Sequence, residues 1–140
     1  MVSNDRDEEH PLRIKILLSL LSGKPFKVKN IRKYEDEPGL KEFEVNLLKL
    51  IDMITNGTRT DINETGTSLY FVPGVLIGGS LEFDCKLERS IGYYLQVLFC
   101  LAPFTKLPIE ITLKGVTNDP NDVSVFDYVH FWLLMFLLYK

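Results

Sequence analysis

Between His10 and Lys33 the chain carries Arg13, Lys15, Lys24, Lys27, Lys29, Arg32 and Lys33 and no acid. Cations at that density suit the joint neutralisation of several phosphates. Lys27 and Lys29 alternate with Phe26 and Val28, which puts both lysines on one face of a strand, with Arg32 and Lys33 just beyond. A solvated lysine face would read the same way, and aromatic side chains that stack bases are not interleaved on it. Glu35-Asp36-Glu37 and Glu42 with Glu44 are the carboxylates close enough in sequence for acid–base or metal chemistry, but an acidic stretch beside the Pro38-Gly39 turn reads first as solvated. His10 and His130 lie in unrelated contexts without a nucleophile pattern nearby, and neither is assigned a catalytic role. Two cysteines, Cys85 and Cys100, make neither a disulfide framework nor a metal-ligand pattern, and both are expected to be reduced, small and buried.

The 140 residues carry a net charge of −3, which hides an asymmetry. Seven of the sixteen basic residues lie in the segment above, and nine face all nineteen acids elsewhere, so the remainder carries −10. The first ten residues hold Asp5, Arg6, Asp7, Glu8 and Glu9 without an apolar run, which argues against a secretory signal and for the cytosol or nucleus. The sequons at Asn56 and Asn63 are then chance matches. A hydrophobic fraction of 46% without low-complexity tracts predicts a folded domain, with disorder confined to residues 1–10.

The elements that must position these groups follow from periodicity. Leu12, Ile16, Leu17, Leu20 and Leu21 after Pro11 predict a first helix that stops at Gly23-Lys24-Pro25. A strand over 26–31 and an acidic loop lead to a second helix over 40–55. Short strands are expected over 59–63 and 68–72, and a longer one over 80–87 with Leu81, Phe83, Cys85 and Leu87 on its apolar face. A third helix over 90–101, a break at Pro103 and a strand over 109–114 complete the pattern. Three strands with one apolar and one charged face predict an α/β (α+β) fold in which helices cover one side of the sheet, an open-faced two-layer sandwich. Helix, strand, acidic Pro loop and helix recur at about 11–55 and 90–139, so residues 11–88 read as one supersecondary unit and 89–140 as an incomplete second copy.

Seven collinear segments give this pattern a family. Leu21-Ser22-Gly23-Lys24-Pro25, Pro38-Gly39-Leu40-Lys41-Glu42-Phe43-Glu44, Ile54-Thr55-Asn56-Gly57, Thr65-Gly66-Thr67, Pro73-Gly74 with Gly78-Gly79, Ile91-Gly92-Tyr93-Tyr94 and Leu101-Ala102-Pro103-Phe104 stand in an order and spacing that resemble the cyclase-like, ribosome-biogenesis branch of the RNA 3′-terminal phosphate cyclases. The resemblance implies a fold of repeated βαβαββ units. True cyclases activate an RNA 3′-phosphate with a nucleotide through a histidine in the last third of the full-length fold, a region outside the match at 11–120. They also open the first helix with a Gly-rich turn, a cradle of backbone N–H groups for phosphate. The matching stretch here is Asp7-Glu8-Glu9-His10, whose carboxylates repel phosphate.

Arg13, Arg32 and Gln96 match polar positions of the family's pocket and would form a vestige of it, whereas Glu35 replaces an arginine and Phe43 a glutamine. The resemblance therefore implies a non-catalytic factor in small-subunit pre-rRNA processing in the nucleus and nucleolus. Its partners would be pre-rRNA or small-subunit processome components and a nucleolar biogenesis GTPase. No cofactor, metal or small-molecule substrate is expected. The RNA-contacting set is expected to be Arg13, Lys27, Lys29, Arg32 and Lys33. A cyclase-type enzyme and a non-functional truncated product are the alternatives.

From Tyr128 to Tyr139 only His130 and the terminal ring hydroxyls interrupt a run of Val129, Phe131, Trp132, Leu133, Leu134, Met135, Phe136, Leu137 and Leu138. A surface helix is amphipathic, and this one is apolar all round. At about 12 residues it is short of the roughly 20 that a membrane span needs, so membrane insertion is not expected. It reads instead as the end of a truncated or alternatively spliced product. The purified chain is expected to self-associate or to bind a hydrophobic dye; a monodisperse monomer by light scattering that leaves the dye dark is the contrary result.

Overall fold

The computed structural model describes residues 12–118, 120, 122 and 124–138. Helix α1 (Leu12–Ser22) ends as expected at Gly23, whose φ of +72° is a left-handed stop and whose N–H donates to the Ser19 carbonyl at 2.8 Å. Strand β1 is only Phe26–Val28. The alternation that predicted a strand to residue 31 is cut by left-handed conformations at Asn30 (φ 59°) and Arg32 (φ 45°), which turn the chain out of the sheet. Helix α2 (Glu42–Ile54) opens with Glu42 and Glu44 in its first turn, where the positive end of the helix dipole favours them.

Strands β2 (Thr55–Asn56), β3 (Arg59–Ile62), β4 (Leu69–Val72), β5 (Val75–Leu76) and β6 (Gly79–Asp84) follow. Helix α3 (Ile91–Leu101) runs into a 3-10 turn over Ala102–Phe104, at the expected break. Strand β7 (Ile109–Lys114) and helix α4 (Val125–Leu138) complete the described chain.

The fold is α/β, as expected, but the strands divide into three hydrogen-bonded sheets. The first has the order β1-β4-β3, all antiparallel; β2 pairs antiparallel with β5; β6 pairs in parallel with β7. Side-chain alternation overstated β6 at its end by three residues. Lys86 takes φ 60° and ends it, so Leu87, expected on the apolar face, stands 82% exposed. Cys85 is buried, but Cys100 faces outward from α3 and is exposed, against expectation.

The helix–strand–helix order does recur, as α1–β1–α2 and α3–β7–α4, yet β1 has an antiparallel neighbour and β7 a parallel one. One core cluster draws on both units: Ile16 and Leu20 of α1, Leu47, Leu50, Ile51 and Ile54 of α2, Leu69 and Phe71 of β4, and Tyr94, Val97 and Leu101 of α3. Helix α4 packs on α3 and leaves Val129, Phe131, Leu134 and Leu138 exposed. Among the described residues no helix is long and apolar enough to cross a membrane.

Ile51 is fully buried at the centre of α2. Its replacement by Ala removes three methyl or methylene groups from a closed core, so Ile51→Ala is expected to cost about 2–5 kcal/mol in urea unfolding. A loss under about 1 kcal/mol would mean that the cluster is loosely packed.

Candidate functional site

A cavity of about 380 Å³ lies where the start of α1, the turn after β1, the start of α2 and the head of α3 converge. Its character comes from three arginines. Arg32 is held in its left-handed conformation by Glu44, which accepts from both terminal guanidinium nitrogens at 2.8 and 2.7 Å, and by the Gly39 carbonyl at 3.1 Å. The left-handed backbone costs about 1–2 kcal/mol for a residue with a Cβ, and a charge-assisted bidentate pair offsets it. Glu44, only 5% exposed, also accepts the Lys41 N–H at 2.9 Å and so caps α2. The pair holds Arg32 protonated: the hydrogen bond it donates to Glu44 raises its pKa more than burial lowers it.

Arg89 stacks between two rings, 4.4 Å from the centre of Tyr93 and 4.8 Å from that of Phe43, while these rings meet edge to face at 5.3 Å. Asp122 fixes its other side, accepting from Nε at 2.9 Å and from Nη2 in a shorter contact. The same carboxylate accepts the Ser90 N–H at 3.2 Å, just before α3 begins. The Arg89 hydrogen bonds hold the Asp122 carboxyl below the usual carboxylate range.

Arg13 lies 4.9 Å over the open face of Tyr93. Its Nη1 is buried and finds no hydrogen-bond partner among the described residues. An orphaned cationic donor is expensive; this nitrogen is sealed from solvent, while the residue itself lines the cavity together with Lys15 and Lys29. Burial pushes the Tyr93 hydroxyl up to about 12, with Glu44 adding to the shift and Arg13 and Arg89 opposing it. The phenol therefore stays protonated at neutral pH. No histidine lines the cavity among the described residues, and no group of three or more His, Cys, Asp or Glu there could hold a metal ion.

Among the residues singled out in the sequence, Arg13, Lys15, Lys29 and Arg32 are brought together here, with Glu35, Phe43 and Glu44 beside them. Lys27 and Lys33 are not. Lys27 is exposed on the outer face of β1, and Lys33 is exposed on the loop, 5.7 Å from the centre of the Tyr34 ring. Gln96, half-buried on α3 one turn beyond Tyr93, does not line the cavity. Glu35, Asp36, Glu37 and Glu42 are solvated as expected, but Glu44 is buried and ion-paired, which corrects the reading of it as a surface acid. Sequence reasoning missed Arg89, Tyr93 and Asp122 as site residues. The Arg89–Tyr93 spacing of four was a usable signal; Asp122, 33 residues beyond Arg89, gave none.

A mixed α/β fold with a basic, aromatic-walled cavity at the mouth of its first helix defines the class, and comparison with known proteins identifies it. The sequence pattern of the RNA 3′-terminal phosphate cyclases matches residues 9–138, and the chain belongs to that family. Within the family it is similar to the cyclase-like branch. An RNA 3′-terminal phosphate cyclase-like protein of Mus musculus is 56% identical over 114 residues, 81% of this chain and 31% of the relative. Its Homo sapiens counterpart gives the same figures. The rRNA processing protein RCL1 of Saccharomyces cerevisiae is 40% identical over 113 residues, again 81% and 31%. The chain thus spans about a third of the length of these relatives.

Because the folded pKa of Asp122 is depressed, its pairing stabilises the protein above the unfolded value near 3.9 and is lost as pH falls through the lower folded value. Asp122→Asn is expected to lower stability at pH 7 by on the order of 2 kcal/mol and to flatten the decline below about pH 4. Urea titrations across pH test this, and parallel acid limbs for variant and wild type would exclude the pair as its source.

Proposed function

We propose that this chain is a non-catalytic part of a ribosome-biogenesis factor that acts in small-subunit pre-rRNA processing by holding RNA and protein rather than by transforming an RNA end. One observation carries the reading: two of the three cavity arginines, Arg32 and Arg89, are already matched by the chain's own carboxylates Glu44 and Asp122. A site that must stabilise charge developing in a transition state keeps its cations directed at the reacting group. Here internal pairing has consumed much of that capacity, and Arg13 and Lys29 remain at the cavity for contact with phosphate.

The stretch Asp7-Glu8-Glu9-His10, where the family's enzymes resemble one another in a Gly-rich turn, supports the same reading. So does the company of relatives named cyclase-like and, in yeast, an rRNA processing protein. Pre-rRNA, small-subunit processome components and a biogenesis GTPase are the partners this role requires, with the nucleolus as its place. The second reading, a cyclase-type enzyme, draws on the family itself.

The footprint is Arg13 and Lys29 in the cavity, with Lys27 and Lys33 outside it; Arg32 contributes chiefly by positioning the turn. Removing Lys27, Lys29 and Lys33 together is expected to reduce the slope of log K against log salt for a single-stranded RNA by about 0.7 for each phosphate that is no longer neutralised. Arg32→Ala should instead lower stability. Fluorescence anisotropy over a salt series reads the slopes, and an unchanged slope in the triple variant would rule out the footprint. Transfer of label from a nucleotide to the chain, or cyclic-phosphate ends formed on a 3′-phosphorylated RNA, would revive the enzyme.

A further inference from the structure

The pairing of β1 with β4 brings Tyr70 beside Lys27, a neighbour 43 residues away in sequence. Tyr70 is also paired with Asp61 on its other side, so Lys27, Tyr70 and Asp61 form one row across the three strands. The inward rows are apolar where β1 meets β4, although their members on β3, Thr60 and Ile62, are exposed. Phe26 lies opposite Phe71, with ring centres 5.4 Å apart, and Val28 lies opposite Leu69. Period two therefore directs Lys27, Tyr70, Asp61 and, one step along β3, Arg59 to the outer face. There Tyr70 is 40% exposed, and Lys27, Asp61 and Arg59 are exposed. The basic strand thus has the aromatic neighbour that sequence order concealed.

We propose that this open face is a base-stacking platform for single-stranded RNA, with Tyr70 beneath one base and Lys27 and Arg59 on the phosphates flanking it. Directly paired cross-strand side chains stand about 5 Å apart and diagonal ones about 7–8 Å. A base on the Tyr70 ring therefore has an ammonium on one side and a guanidinium diagonally across on the other. Asp61 carries the opposite charge and turns the backbone toward the Lys27 side. The row offers a flat ring amid charged side chains rather than an apolar surface, which fits a nucleobase, whose π-face stacks while its phosphates stay wet. The platform rests on the RNA-contact reading above but names a site and a contact mode that the cavity does not supply.

The test uses the full chain with a labelled, unstructured single-stranded oligoribonucleotide and an RNA duplex of matched length, read by anisotropy over a salt series. Tyr70→Ala is expected to weaken single-strand binding about tenfold with an unchanged salt slope, because a stack carries no counterion. Tyr70→Phe keeps the ring and should bind within about twofold of wild type. Lys27→Ala should lower the slope instead. Duplex binding should not respond to Tyr70→Ala, since paired bases cannot reach the ring. Tyr70→Thr, which suits a strand, repeats the Ala result with the fold checked by circular dichroism. Wild-type affinity in both ring-deleting variants, or equal loss in Tyr70→Ala and Tyr70→Phe, would overturn the platform while leaving RNA contact in place. Failure of the wild type to bind either RNA at low salt would overturn platform and RNA contact together.

Discussion

The turn after β1 leaves the sheet through two residues with positive φ, and the Arg32–Glu44 ion pair keeps it there. Taking a carboxylate to 5% exposure is costly unless both of its oxygens find donors. Glu44 achieves this with both Arg32 nitrogens and the Lys41 N–H, so one side chain fixes the turn and starts α2. The wall of the cavity, from Lys29 to Glu35, is the turn so fixed. Arg32 is the guanidinium nearest in sequence to the basic strand, yet its charge is used inside the protein. The other cations that line the cavity are Arg13, Lys15, Lys29 and Arg89.

Elements with an uninterrupted period were legible. Strand β7 shows alternating half-buried and exposed residues along its whole length, and α3 begins and ends within a residue of the positions its apolar spacing gives. Strand β1 was over-read because Lys29 still continues the alternation, whereas Asn30 and Ile31 break it where the backbone turns out of the sheet. Strands β2 and β5 have two residues each and offer no period at all. The site was legible only in part for a related reason. Arg13 and Arg32 drew notice as charges, but what makes them different is Glu44, twelve residues from Arg32, and Tyr93 on another helix. Such partners are a product of tertiary packing, and a single sequence does not print them.

The segments that carried the family resemblance acquire a physical meaning in the fold. Gly39, at φ +94°, brings its backbone so close to the Thr65-Gly66 turn that a Cβ would lie 2.6 Å from the Thr65 carbonyl oxygen, and the Leu40 N–H donates to the Gly66 carbonyl at 2.9 Å. Gly74 meets the backbone of Asn56-Gly57-Thr58 in the same manner, and its N–H donates to the Thr58 hydroxyl. These motifs are seams where one loop rests on another, and only glycine permits the approach. Two of the seven segments thus recognise two others, which is why their order and spacing are informative beyond their composition.

Strand β1 separates the two surfaces proposed to contact RNA. Had it run to Ile31, Lys27 and Lys29 would share a face; because it breaks after Val28, Lys27 stays on the open sheet beside Tyr70 and Lys29 goes to the cavity rim. The acids of the remaining chain do not cancel either surface. At physiological ionic strength fields decay over about 8 Å, so a phosphate near β1 responds to Lys27, Lys29 and Arg13 and to the nearest opposing groups, Asp61 and Glu35. The net charge of −3 describes the molecule at long range, where it would slow the encounter with RNA. On the proposed reading, what is held on contact is decided by the few residues around one three-residue strand.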